Sequence, residues 1–355
     1  VLWCGDCGLS QLAQVVDPDL LYRDYPFRAG VSSKWREHCE AMADGLDLEI
    51  GDFVVDIGAN DGTFLDACLT RDAKVLGVDP CPVSDAVPML PVLWSEETAR
   101  GLVRMHGHPD VITATNVFGH VDDAADFLRG LAVALPVTGY ALIECPHIFP
   151  LLEQTAFDTI YHEHLSYWSL RPLERLCEQT GLRVVDVEMF SDLHGGTMRY
   201  TLVPDTSPWH VQTSVTGLRI LEAAHFAEGL VPYRDFAERA WRNILLFKQA
   251  LQEERDARWR IAGYGASAKG NVLLQAAGVR RDLLSVIVDD TPAKWGLYTP
   301  GTEIPIQPPD ALREADILVL LSWNNAEALK ASALKQGFRG RFFVPHPDPH
   351  FEDAA

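Results

Sequence analysis

Asp56-Ile57-Gly58-Ala59-Asn60-Asp61-Gly62 follows the apolar run Phe53-Val54-Val55 and precedes Thr63-Phe64-Leu65. A short apolar run of strand type gives way here to a glycine turn and then to a helical pattern. The two glycines let the backbone turn tightly from strand to helix and approach a ligand closely. About 20 residues on, as nucleotide folds space their acidic residue, Val75-Leu76-Gly77-Val78-Asp79 ends a second strand on a carboxylate. An acid at that place can accept both hydroxyls of a ribose. The chain is therefore expected to be α/β, with a doubly wound sheet starting near residue 53.

The spacing Asp56-x-Gly58-x-x-x-Gly62 differs from the dinucleotide-binding Gly-x-Gly-x-x-Gly. With Asp79 it looks like the S-adenosylmethionine site of class I methyltransferases; a plain strand-turn-helix is the alternative. The cofactor candidates are Asp56, Gly58, Asn60, Gly62 and Asp79. Alternation continues with Val111 to Asn116 and Tyr140 to Glu144. Ligands of open α/β sheets lie at the carboxyl ends of strands, so Asn116, Phe118 and His120 are placed to reach cofactor or substrate.

Downstream of this edge comes Tyr161-His162-Glu163-His164-Leu165-Ser166-Tyr167-Trp168. Two imidazoles, a carboxylate and two phenols share the stretch, and histidine gives and takes protons near neutrality. It is read as the reaction centre. Two other readings are a loop whose rings merely pack, and a metal site using His162 and His164, for which no third ligand stands nearby at zinc spacing.

The flanks carry further candidates. Cys4-Gly5-Asp6-Cys7-Gly8 is half of a zinc knuckle. The start on Val1 suggests residues upstream that would hold the other ligand pair; two free thiols in a turn is the plain alternative. Leu21 to Arg28 is aromatic and broken by Pro26, as a packing loop or a lid over a ligand would be. Ser32 or Ser33 caps a helix to about Leu46. His194-Gly195-Gly196-Thr197-Met198-Arg199 joins a glycine turn to a strand, where backbone and guanidinium suit a phosphate; an ordinary hairpin fits as well. Residues 211–256 read as two helices broken near Gly229 to Pro232. Arg260 to Asn271 repeats strand, glycine turn and helix, and Lys269 and Asn271 at the helix start favour phosphate. A duplicated scaffold that only shapes a cleft is the alternative.

The bulk properties exclude several classes. The chain has 355 residues, enough for two or three domains, and its formal net charge of −20 argues against nucleic acid or an anionic membrane as partner. No apolar run reaches the about 18 residues of a membrane span. Seven cysteines, scattered apart from the first pair, read as reduced thiols of a cytoplasmic protein.

Taken in order, Cys-x-x-Cys-Gly from Cys4, Tyr22-x-x-Tyr25-Pro-Phe, Asp56 to Leu65, Asn116 to His120, Phe157 to Tyr167, His194 to Arg199 and Tyr264 to Asn271 resemble the sugar C-methyltransferases that act on nucleotide-linked deoxysugars in antibiotic pathways. Ser322-Trp323-Asn324 and Val344-Pro345 continue the resemblance to near the C-terminus. It implies a zinc-bearing N-terminal segment (1–33), a class I methyltransferase domain (34–210), linking helices (211–256) and a second Rossmann-like domain (257–355), with a dTDP-type sugar nucleotide between the last two domains. It implies His164 as base, Glu163, Tyr161 and His120 as its companions, and Tyr22 or Tyr25 reaching in from a lid. His194, Gly196, Arg199, Tyr264, Lys269 and Asn271 are the expected substrate contacts. The chain departs from the family in its single cysteine pair (Cys4, Cys7), in Phe27, where a second tyrosine is usual, and in Gly119, where alanine is common. An O- or N-methyltransferase, a nicotinamide oxidoreductase and a non-catalytic zinc scaffold are the competing classes.

Overall fold

The computed structural model describes residues 1–22, 28–191 and 195–353. Tyr25 and His194 lie outside the described residues. The chain forms two compact units, residues 1–148 with 162–227, and residues 149–161 with 228–355. The segment just before the histidines belongs to the second unit, and of the two helices over 211–256 one falls in each unit.

The first unit carries a hairpin, β1 (Leu2–Trp3) and β2 (Ser10–Gln11), and seven strands of one sheet, β3 (Phe53–Ile57), β4 (Lys74–Val78), β5 (Met89–Leu90), β6 (Val111–Thr115), β7 (Tyr140–Pro146), β9 (Leu182–Phe190) and β10 (Thr197–Pro204). A short strand, β8 (Ser166–Tyr167), lies apart from that sheet. The sheet order is β5-β4-β3-β6-β7-β10-β9. Its first five strands pair in parallel and β10 pairs antiparallel with β7 and β9. Side chains alternate across a strand, so β3 feeds two cores: Phe53, Val55 and Ile57 face one, and Val54 faces the other. The helix expected from Ser32 runs Ser33–Gly45, and the Ser32 hydroxyl accepts from the Trp35 amide at 3.3 Å.

The hairpin does not stand alone. β2 pairs antiparallel with β8, Ser10 opposite Tyr167 and Gln11 opposite Ser166. The N-terminal segment thus meets the strand that begins two residues after His164.

In the second unit a six-stranded sheet runs β13 (Ile306–Gln307), β12 (Val286–Val288), β11 (Ile261–Tyr264), β14 (Ile317–Leu320), β15 (Arg341–Val344), β16 (His350–Asp353). All neighbours are parallel except the β15–β16 edge pair. Ile317 and Val319 face one core, Leu318 and Leu320 the other. The second glycine turn therefore opens a second Rossmann-like sheet, as expected. Among the described residues no helix is long and apolar enough to cross a membrane.

Candidate active site

The cofactor loop leaves the carboxyl end of β3. Gly58 has φ of 74°, and a Cβ there would lie 2.2 Å from Val117 Cγ2, so only glycine fits. Asn60 is left-handed at φ 51°, and Gly62, at φ 79°, caps the helix Thr63–Leu69. Asp79 ends β4 and is buried. One carboxylate oxygen accepts the Asn60 amide at 2.9 Å, the other the Cys81 amide at 2.8 Å. The acid read as a ribose ligand thus also fixes the shape of the glycine loop. Each oxygen keeps a further lone pair for a hydroxyl.

The loop is tied from the outside too. Asn60 Oδ1 accepts the Ala29 amide at 3.0 Å, and Asp61 Oδ2 accepts the Gly30 amide at 2.8 Å. Asp56 lies beneath, where the Thr113 hydroxyl donates to it at 2.7 Å. Burial, partly opposed by that hydrogen bond, pushes its pKa up to about 7.

At the end of β6, Asn116 adopts φ 57°, and its amide donates to Glu144 O at 2.8 Å. The next turn, Phe118–His120, points its first and last residues differently. Phe118 is fully buried, stacked on Trp168 at 4.4 Å and tilted against Phe127 at 5.3 Å. It packs in the core of the first unit. His120 is half-buried and reaches Tyr22, whose hydroxyl lies 3.2 Å from Nδ1. Burial pushes the imidazole down to about 4, so it is neutral at neutral pH. Burial, then the Glu163 charge, raises Tyr22 above the usual phenol range, so it stays a phenol. A Tyr22 proton donated to Nδ1 leaves the His120 proton on Nε2.

His164 joins this pair, its ring centroid 5.0 Å from that of His120. Tyr22, His120, Glu163 and His164 are thus brought together from segments distant in sequence. His162 is exposed, and Tyr161 belongs to the second unit.

Arg199 is not free for phosphate. Its guanidinium grips Glu144 at 2.6 Å and Glu188 at 3.0 Å and lies over the Phe190 ring at 4.6 Å. His38 completes the cluster, with Nε2 2.8 Å from Glu144. Burial alone would raise the Glu144 pKa, but the His38 hydrogen bond and the Arg199 charge overcome it and hold the carboxyl below its usual range. Gly196 is buried with φ 117°, and its carbonyl accepts the His147 amide at 3.1 Å.

The second unit disposes of its candidates unevenly. Tyr264 is fully buried, and its hydroxyl bonds Asp290 at 2.7 Å and Ser332 at 2.9 Å. Lys269 and Asn271 lie in the first turn of the helix Ala268–Ala277. Lys269 Nζ sits 5.3 Å from the Trp323 ring, and burial lowers its pKa while Asp158 acts the other way. Asn271 Oδ1 is buried without a hydrogen-bond partner.

Cys4 and Cys7 flank a tight turn in which Gly8 donates to Cys4 O at 2.8 Å and Cys4 to Leu9 O at 2.9 Å. A hydrogen bond from the Cys7 backbone lowers the Cys4 thiol, and burial raises Cys7. Among the described residues no group of three or more His, Cys, Asp or Glu gathers as for a metal. A structural zinc needs four ligands, so two thiols alone do not fit one.

Residues 32–187 match the family model of a methyltransferase domain, and residues 192–347 that of the C-methyltransferase C-terminal domain. C-methyltransferase NovU of Streptomyces niveus is 32% identical over 364 residues, covering 98% of this chain and 86% of that protein. A solved S-adenosylmethionine-dependent methyltransferase from Archaeoglobus fulgidus is 20% identical with a TM-score of 0.37, covering 44% of this chain and 72% of its own. The first unit is a class I methyltransferase fold, and the chain belongs to the C-methyltransferase family as an S-adenosylmethionine-dependent enzyme.

Proposed function

We propose that the enzyme methylates C3 of a nucleotide-linked 4-keto deoxysugar, of the dTDP type, through an enolate. Carbon has no lone pair to attack with, so the carbon beside the ketone must first lose a proton to a base near neutral pKa. His164 is that base in this reading. Glu163 orients it or raises its basicity. His120, neutral and able to offer Nε2–H, donates to the oxygen on which the enolate charge develops, with Tyr22 holding its other nitrogen. Tyr161 is the alternative donor. S-adenosylmethionine supplies an electrophilic methyl in line with the carbanion; Gly58, Asn60, Gly62, Asp56 and Asp79, with Asn116, are the residues proposed to hold it. Lys269 and Asn271 are proposed to meet the diphosphate.

The observation that carries this reading is the closeness of His120, His164 and Tyr22. Methylation at oxygen or nitrogen would need no enolising base and no donor for an enolate oxygen. The test is incubation of dTDP-4-keto-6-deoxyglucose with the enzyme and S-adenosylhomocysteine in deuterium oxide. Enzyme-dependent deuterium at C3 is expected. Its absence, with methyl transfer intact in the full reaction, would exclude the enolate route.

A further inference from the structure

Glu222 is a buried carboxylate outside the chemistry described above. It lies on the helix Thr213–His225 and reaches the start of another, Leu170–Thr180. One oxygen accepts the Leu170 amide at 2.5 Å, the other the Arg171 amide at 3.1 Å. Amides at a helix start lack partners within the helix, and a negative charge there is favourable. Ser169, the residue at the N-cap position, makes no side-chain cap bond. A distant helix therefore supplies the cap.

The carboxylate has a third partner. His147 Nε2 lies 3.1 Å away, and this imidazole is 1% exposed. His147 sits just past β7, and the neighbouring Ile148 amide donates to Trp168 O at 3.0 Å. Trp168 in turn stacks on Phe118. Phe118 stands two residues before His120, and Trp168 four residues after His164. The stack thus couples the two imidazole-bearing segments, and the Glu222–His147 pair holds its Trp168 side.

The opposite side of β8 is held by the hairpin. Leu12 donates to Leu165 O at 2.8 Å, next to His164. The cysteine turn is docked on the helix Leu170–Thr180 by Arg171, 3.1 Å from Asp6 O, and by Arg175 at the same carbonyl.

We propose that Glu222, with His147, is a positioning residue for the reaction: it fixes the His164-bearing segment through the helix start at Leu170 and through Trp168. The proposal rests on the reading of His164 as base. A buried carboxylate bonded to a histidine and two amides is costly to desolvate, and its partners all bear on this one segment. Misplacing a base by about 1 Å costs up to about 100-fold in rate.

The test compares Glu222→Gln and Glu222→Ala with the parent, using dTDP-4-keto-6-deoxyglucose. C3 deuterium exchange and kcat are expected to fall, by about 10-fold for Gln, which keeps one acceptor, and up to about 100-fold for Ala. The dissociation constant for S-adenosylhomocysteine should not change. Parent-like exchange in Glu222→Gln, or in a folded Glu222→Ala, overturns the proposal. So does a loss of S-adenosylhomocysteine binding that parallels the loss of rate, because that is a purely structural effect. If Glu222→Ala fails to fold, Glu222→Gln alone decides. His164→Asn separates the two ideas: normal exchange in that variant removes the base assignment, whereas an inactive His164→Asn beside fully active Glu222 variants removes only the positioning role.

Discussion

Trp168 lies almost flat on Phe118, ring centroids 4.4 Å apart and planes inclined by 27°. Both rings are fully buried in the core on one face of the first sheet. Replacing Trp168 by alanine leaves a large hole, so unfolding in denaturant should show a loss of about 3–5 kcal/mol. Trp168→Phe keeps a ring in place and should lose less. If both variants unfold like the parent, the stack does not support the segment between them.

Arg199 is expected to act on stability before it acts on substrate. Arg199→Ala removes the guanidinium that pairs with Glu144 and leaves the buried carboxylate with His38. Stranding a buried charge costs about 3–5 kcal/mol. The double change Arg199→Met with Glu144→Gln, which removes both charges, should recover much of that loss. The folded pKa of Glu144 lies below its ordinary value, so its contribution is present above the unfolded value and is lost as pH falls through the folded one. Arg199→Ala should weaken that part of the acid lability. An Arg199→Ala enzyme with parent melting but a raised KM for the sugar nucleotide would restore the phosphate reading.

His120 gives a second pH dependence. Its folded pKa of about 4 lies below the ordinary value of 6.5. The unfolded chain therefore binds a proton that the folded chain refuses. The stability due to the neutral ring is full above about 6.5 and drains as pH falls towards about 4. Melting temperatures recorded across this interval should fall more steeply for the parent than for His120→Asn. Parallel curves would show that the ring is not kept neutral.

Asp56 works in the opposite direction. Its folded pKa, about 7, lies above the ordinary value of 3.8. Its contribution is full below the unfolded value and is lost as pH rises through about 7. Asp56→Asn, a neutral match for the protonated acid, should melt above the parent at pH 8 and lose that advantage near pH 4, without cofactor in either case. An Asn variant less stable than the parent at pH 8 would mean that Asp56 is ionised and held by groups beyond Thr113.

The parts of this molecule that were legible in its sequence are those that local rules control. Gly58 and Gly62 mark a turn because backbone sterics demand it, and Asp79 follows at the end of β4. The two glycine turns thereby predicted two Rossmann-like sheets. The burial of Phe118 is not legible, because strand position says which segment lies at the ligand edge, not which way one ring turns. Nor are the partners of Tyr264, whose hydroxyl finds Asp290 and Ser332 from distant segments. The pairing of Ser10 with Tyr167 had no signal, since two-residue strands carry no period. Glu222 had none either: it sits on an amphipathic helix where a glutamate reads as solvated, and only the fold brings the start of Leu170–Thr180 to it. The assignment of 149–161 to the second unit depends on tertiary packing, such as that of Phe157 in the core with Ile261 and Ile317.

His164 and His120 can be told apart by what each substitution leaves behind. In the proposed chemistry His164 removes the proton, so His164→Asn should lower C3 exchange and turnover by about 100-fold or more, the usual scale for a lost general base. His120 donates and does not titrate near neutrality, so His120→Asn, which keeps an N–H donor, should lose less than His120→Ala. The acid limb of the pH–rate profile should survive in His120→Asn, because the group that titrates there is the base. Tyr22→Phe should resemble a mild His120 variant, since it removes the 3.2 Å contact with Nδ1 and leaves the ring in place. Should the acid limb vanish in His120→Asn and persist in a slow His164→Asn enzyme, the two roles would have to be exchanged.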